Sequence, residues 1–257
     1  MDTTKTVVLI TGANSGIGFA TVIALSQTSP NYHILLGSRS LDKGKKALEE
    51  IYSSHDSSLK SSISLIQIDV TDRKSIFAAK DLVESEHGRL DVLINNAGII
   101  VTRKVDSETL LRESFETNSI GPYVVTEVFE PLLKNSKEPR LIHVSSDLGS
   151  VTQRLDPNTK SAFTRAEWYR MSKAALNMLA ACHRYNFAGW GCKVCAFNPG
   201  FTVTNLTGEA GRKMRIQHGA RDAREPAEML VNIIMGDRDA DFEKSGIIDI
   251  DGGVLPW

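Results

Sequence analysis

The chain has 257 residues, enough for one large α/β domain or two small ones. Its 30 Lys plus Arg against 31 Asp plus Glu leave the charge nearly balanced, which argues against a nucleic-acid-binding or anionic-membrane surface. No apolar run reaches the roughly 20 residues of a spanning helix, the opening Met1-Asp2-Thr3-Thr4-Lys5 lacks the apolar core of a signal peptide, and Asp2 excludes myristoylation, so the expectation is a soluble, cytoplasmic protein.

Residues 6–11 form the first predicted strand, a short apolar run, and 16–26 read as a helix. Between them stand Gly12, Gly16 and Gly18. Strand, glycine-rich turn and helix are the context of a phosphate-binding loop. Glycine lets an anion approach the main chain, and the unpaired first-turn N–H groups and the helix dipole favour negative charge there. Further strands are predicted at 33–37, 63–69, 92–95, 140–145, 193–198 and 246–250, and helices at 41–52, 73–87, 107–134, 167–188 and 226–234. The strands are short and apolar and alternate with helices, which predicts an α/β doubly wound parallel sheet of about seven strands with helices on both faces. We expect a single Rossmann-type domain over 1–257, with its ligand at the carboxyl ends of the strands.

Three segments interrupt the alternation. Residues 53–64 are serine-rich and read as an exposed loop. Residues 147–165 are polar and turn-rich, with Asp156-Pro157-Asn158, and border the expected substrate entrance. Residues 202–224 are rich in Gly and Arg with little periodicity, a candidate mobile lid. The alternative for the last two is simple connection. Of the three cysteines, Cys182, Cys192 and Cys195, the last two form C-x-x-C. No second Cys or His pair accompanies them, and residues three apart on a strand face opposite ways, so packing rather than metal binding is expected.

The loop Thr11-Gly12-Ala13-Asn14-Ser15-Gly16-Ile17-Gly18 is spaced G-x-x-x-G-x-G. Asn95-Asn96-Ala97-Gly98 follows the fourth strand, Asn118 lies in the helix after it, and Ser145-Ser146 ends the fifth strand. Tyr169-Arg170-Met171-Ser172-Lys173, Pro199-Gly200 and Asp251-Gly252-Gly253 complete the series. In this order, along essentially the whole chain, the motifs resemble those of the classical short-chain dehydrogenases/reductases. The closing Gly253-Val254-Leu255-Pro256-Trp257 and the Gly37-Ser38-Arg39 segment look most like carbonyl reductases and secondary-metabolite members.

Tyr169 and Lys173 share a helix face at i and i+4. A phenol titrates near 10, and a neighbouring ammonium lowers that value. On an exposed face such a pair is merely structural. The resemblance implies instead that Tyr169 protonates the substrate oxygen while Lys173 tunes it and holds the nicotinamide ribose. It implies that Ser146, the second serine of the pair and followed by Asp147-Leu148-Gly149, orients the carbonyl, and that Asn118 holds a water near Lys173. From Ser146 to Tyr169 is 23 positions, longer than usual in the family, which leaves the substrate undefined.

An acidic residue about 20 positions past the loop normally selects NAD; Ser38 and Arg39 stand there instead, with Ser15 as a further donor. NADP(H) is therefore expected. The resemblance also implies cofactor contacts from Gly12, Ile17, Gly18, Asp69, Val70, the Asn95 main chain, Pro199, Thr202 and Thr204. A bulky, apolar carbonyl substrate is expected near Leu148, Val151, Trp168, Phe201 and Leu206, and Asp147 would either meet an amine or face solvent. No metal is expected. Helices 107–134 and 167–188 resemble those that pair in family homodimers and homotetramers, beside monomeric carbonyl reductases. The rival readings are a non-catalytic NADP-binding regulator and a cyclase or isomerase on the same fold.

Overall fold

The structure, a computed structural model, describes residues 4–159 and 161–257. Met1, Asp2 and Thr3, and Lys160 within the 147–165 segment, lie outside the described residues. The first half of the chain alternates β1 (Thr6–Ile10), α1 (Gly16–Thr28), β2 (Tyr32–Ser38), α2 (Leu41–His55), β3 (Ser62–Gln67), α3 (Arg73–His87) and β4 (Val92–Asn95). There follow α4 (Ser107–Phe115), a π turn (Glu116–Ile120), α5 (Gly121–Lys134) and β5 (Arg140–Val144). The rest holds α6 (Val151–Leu155), α7 (Glu167–Phe187), β6 (Lys193–Asn198), α8 (Gly208–Gln217), α9 (Arg224–Met235), β7 (Ile247–Asp249) and β8 (Val254–Leu255).

The strands form one sheet in the order β3-β2-β1-β4-β5-β6-β7-β8. Seven run parallel, and β8 pairs antiparallel with β7. The expected doubly wound sheet is thus present with one strand more than foreseen. The two-residue β8 is too short to show a period of its own and is held by pairing Ile247 with Leu255 and Ile248 with Val254. Chain order reverses between β1 and β4, so a crevice opens where these strands end.

Strand side chains alternate between two apolar layers. Val8, Ile10, Ile34 and Ile94 pack toward one face with Leu230 of α9, while Val7, Leu9, Leu35 and Leu93 pack toward the other with Phe129 of α5. Cys195 belongs to the first layer and Cys192 to the second, as their spacing predicts. Burial pushes both thiols up to about 12, which keeps them protonated and inert. Among the described residues no group of His, Cys, Asp and Glu could hold a metal, and no helix is long and apolar enough to cross a membrane.

The helix expected over 107–134 is one path with a wide turn at its middle. That turn carries Asn118 fully inside and lets Ser119 Oγ donate to Ser172 O of α7 at 2.8 Å. The 202–224 segment is also more ordered than its composition suggests. It contains α8, and Thr202 bridges to Arg221. The 147–165 segment carries α6. Ser150 Oγ donates to Pro256 O at 2.7 Å and Thr152 N–H to Trp257 O at 3.1 Å, so the 254–257 segment straps this rim to the sheet.

Behind β4 and β5 lies a buried polar row. Asn95 Nδ2 donates to Thr126 Oγ1 at 3.0 Å and meets His143 Nδ1 at 3.4 Å, while His143 Nε2 meets His183 Nδ1 at 3.2 Å. Burial holds His143 well below the usual imidazole range and takes His183 down to about 4. The unfolded chain therefore binds more protons than the native one between about pH 4 and 6.5, and stability falls as pH drops through that window. For His183 alone the loss reaches about 3 kcal/mol. Thermal melting between pH 7 and 4 should show a steeper loss in the native protein than in His183→Asn; parallel curves would contradict the assignment.

Candidate active site

The crevice at the strand ends is a cleft of about 610 Å³. Its floor is the loop after β1. Gly12 adopts φ +63°, and a Cβ there would fall 2.9 Å from Ala97 Cα; one on Gly18 would fall 2.5 Å from Asn96 Nδ2. The two loops at the reversal point are thus pressed together by missing side chains, with Asn96 Nδ2 donating to Thr11 O at 2.7 Å and to Gly12 O at 3.2 Å. Ser15 is the N-cap of α1, and its hydroxyl makes no capping bond, so it and the free first-turn N–H groups face the cleft. This geometry suits an anion.

One end of the cleft is basic. Ser38, Arg39, Lys43 and Lys46 line it, with Glu50 the acidic exception. Arg39 is exposed, and Ser38 Oγ donates to Ser40 O at 2.9 Å. Asp69, Val70 and Thr71 form the adjoining wall. Asp69 Oδ1 accepts from Thr71 N–H at 2.9 Å and Thr71 Oγ1 at 2.8 Å, which pins the carboxylate. Lys43 and Lys46 escaped the sequence reading, although both lie on the first turns of the helix that begins beside Arg39.

The other end holds Tyr169 and Lys173 of α7, with Pro199, Thr204 and Leu206 beyond β6. Lys173 is 4% exposed, and its Nζ donates to Val144 O at 2.9 Å. Burial lowers its pKa to about 8, so at neutral pH it is mostly charged, with two further protons to donate. The ammonium lies 5.8 Å from the Tyr169 ring centroid. It does not lower the phenol as expected. Burial dominates and raises Tyr169 above its usual range; the Arg215 charge and the Ser146 hydroxyl pull the other way, and Asp147 adds to the rise. The phenol is accordingly a firm proton holder.

Around this pair the remaining predicted residues take distinct places. Ser145 Oγ is consumed by Asn177 Oδ1 at 2.5 Å, whereas Ser146 Oγ lies beside Tyr169, accepting from Leu148 N–H at 3.1 Å and donating to Asp147 Oδ1 at 3.1 Å. Asn118 sits behind Gly98: Oδ1 accepts from Ile99 N–H at 2.8 Å, and Nδ2 donates to Ile99 O and Ser172 Oγ, both at 3.0 Å. A Cβ on Gly98 would lie 3.3 Å from Asn118 Oδ1 and 3.7 Å from Lys173 Nζ, so both border one point. Thr202 is buried, with Oγ1 donating to Pro199 O at 2.9 Å. Gly12, Ser15, Ile17, Ser38, Arg39, Asp69, Val70, Tyr169, Lys173, Pro199 and Thr204 line the cleft. Gly18, Asn118, Ser146 and Thr202 are not among the lining residues, and the Asn95 side chain points away toward Thr126. Of the expected substrate-side residues, Leu206 lines the cleft, while Val151 is exposed on α6.

Arg170, inside the Tyr–Lys motif, is a residue whose role no spacing revealed. It is 7% exposed and donates to Thr164 O at 3.0 and 3.1 Å, to Ser161 O at 2.7 Å and to Leu148 O at 3.3 Å. It thereby ties the 147–165 rim to the helix that carries Tyr169.

A protein-family model described as short chain dehydrogenase matches residues 6–215. The short-chain dehydrogenase anuI of Penicillium roqueforti is 40% identical over 228 residues, covering 85% of this chain and 86% of that protein. The short-chain dehydrogenase/reductase tropE of Talaromyces stipitatus is 35% identical, covering 98% of each. Among solved structures, NADPH-bound carbonyl reductase from chicken fatty liver superposes with a TM-score of 0.74 at 26% identity, over 98% of this chain and 99% of that one.

The clamp has a direct readout. Arg170→Met keeps the length of the side chain and deletes every donor. Trypsin should then cut after Arg154 or Arg165 markedly faster than in the native protein, by limited proteolysis at native pH; equal rates would show that the rim does not depend on Arg170.

Proposed function

The chain belongs to the short-chain dehydrogenase/reductase family, and on that premise we propose that it reduces a ketone, aldehyde or imine with NADPH, or runs the reverse oxidation, on a bulky apolar or secondary-metabolite substrate. The observation that carries the reading is the meeting of Tyr169 and Lys173 with the end of β5 in the cleft that opens beside the N-terminus of α1. The cleft fits a dinucleotide. Its glycine floor leaves room against the main chain, the α1 N-terminus and Ser15 are available for the diphosphate, and Lys173 stands where a ribose would lie. Pro199, Thr202 and Thr204 would hold the nicotinamide end, and Asp69, Val70 and the Asn95 main chain the adenosine end.

Bound reduced nicotinamide supplies a hydride equivalent to the carbonyl carbon. The proton for the oxygen comes from Tyr169, whose raised pKa keeps it protonated at neutral pH. Ser146 Oγ, beside that phenol, hydrogen-bonds the carbonyl oxygen and aims it. As charge builds on the phenol, the ammonium of Lys173 and the guanidinium of Arg215 stabilise it. Asn118, bordering the same point as Lys173 Nζ, holds a water that returns the proton. Tyr169→Phe should fold and bind NADPH with unchanged affinity while kcat falls about 10²- to 10⁴-fold. Undiminished turnover would remove the proton-transfer role, and NADPH binding by the native protein without turnover across a broad carbonyl panel would favour a non-catalytic binding protein.

The choice of NADPH rests on charge. Arg39, Lys43 and Lys46 outnumber Glu50 and Asp69 at the adenosine end, and Ser38 and Arg39 rather than a carboxylate stand at the end of β2, where an acid would repel a 2′-phosphate. The carbonyl reductase of 26% identity binds the same dinucleotide. In steady-state kinetics NADPH should be preferred over NADH at least tenfold, and Arg39→Ala should erode that preference by raising KM for NADPH. A preference for NADH would overturn the cofactor assignment.

A further inference from the structure

Three arginines of the described chain are buried to more than nine-tenths, and they are served unequally. Arg140 is 8% exposed, pairs with Asp239 at 2.5 Å and donates to Ile233 O at 3.3 Å. Arg170, 7% exposed, has its four bonds to carbonyl oxygens. The side chain of Arg215 of α8, 9% exposed, makes one hydrogen bond among the described residues, from Nη1 to Thr202 O at 3.1 Å. Its Nε is enclosed and has no partner, and no carboxylate among the described residues lies in ion-pair range. A buried cation with donors to spare is costly, and the cost vanishes only when an anion or acceptor arrives.

The surroundings say where that acceptor comes from. The guanidinium carbon lies over the Phe201 ring, 5.2 Å from its centroid, and Phe201 itself is 46% exposed. Phe201 and Thr202 lie in the short stretch between Pro199 and Thr204, both of which line the cleft. The Arg215 charge is also the first of those that favour ionisation of the Tyr169 phenol. The acidic group that acts on the same phenol, Asp147, is engaged elsewhere, accepting from Ser146 Oγ.

We propose that Arg215 is a specificity-determining residue: its guanidinium, laid on Phe201 beside the Tyr169 end of the cleft, receives an acidic oxygen of the substrate, a carboxylate or an ionised phenol or enol. The proposal rests on the reductase reading and narrows it to carbonyl compounds that carry a negative charge. A planar fork suits such an oxygen better than a point charge, and the aromatic face suits the ring or chain that bears it.

The test compares 4-acetylbenzoate with its neutral methyl ester at saturating NADPH. The native protein should favour the acid by about tenfold or more in kcat/KM, mainly through KM. In Arg215→Gln that ratio should collapse toward one, and Arg215→Lys should recover part of it. A native ratio of one or below, or a ratio unchanged in Arg215→Gln, overturns the proposal. So does a variant whose only defect is weaker NADPH binding, because the charge would then serve the cofactor. Should neither ketone be turned over, the reductase reading fails for this class, and thermal melting with NADPH decides separately: the acid should raise the melting temperature of the native protein and not of Arg215→Gln. If Arg215→Gln does not fold, the native acid-to-ester ratio, together with competitive inhibition by benzoate, decides alone; no inhibition and no preference would end the proposal.

Discussion

A lysine ammonium inside the protein is the constraint around which the cleft is arranged. Lys173 is almost wholly enclosed, and a carbonyl at the end of β5 accepts one of its protons. A charge so placed needs the rest of its donors used. The cleft provides the space for those partners, so the same side chain that is costly in the folded chain prepares the site for polar ligands. Its neighbours are placed to match. Gly98 leaves the ammonium open toward the cleft, Asn118 shares that opening, and the ammonium lies 5.8 Å from the ring centroid of the phenol one helical turn away.

The protein couples this centre to its rims through main-chain acceptors rather than ion pairs. Arg170 gathers three carbonyl oxygens of the 147–165 segment, and the 254–257 segment meets the same rim from the other side at Ser150 and Thr152. The helix that carries Tyr169 and the 147–165 rim are therefore tied together at several points. On the opposite rim α8 is held by Arg215 on Phe201 and Thr202 O, and the segment after it by main-chain hydrogen bonds between Arg221 and both Phe201 and Val203 and by the Arg221–Asp251 ion pair.

Much of this was legible in the residue order. Apolar runs of four to seven residues between amphipathic stretches placed every parallel strand, because buried parallel strands carry a continuous apolar signal. The glycine loop and the Tyr–Lys pair marked the cleft, since both need fixed spacings. What escaped has a common cause. Lys43, Lys46, Arg170 and Arg215 are long side chains whose ends reach well away from their own backbone, so their meaning depends on tertiary neighbours that no local period encodes. The phenol was misjudged for a related reason: proximity to a cation is visible in sequence, while the depth of burial that outweighs it is not. Strand β8 pairs over two residues, below the length at which alternation can be seen.

The wide turn between α4 and α5 carries a further implication. A π turn holds one residue more than the α-helical path it replaces, and each residue rotates a helix by about 100°. Restoring regular winding by shortening this stretch would improve the local ladder, yet it would swing everything beyond it around the axis and set the apolar stripe of α5 away from Phe129's neighbours in the sheet. The irregularity thus acts as a phase correction. It lets one rod satisfy two incompatible registers, a polar one facing α7 at Asn118 and Ser119 and an oily one lying on β4, and it ties the Asn118 side of the cleft to a packing compromise made inside a single helix.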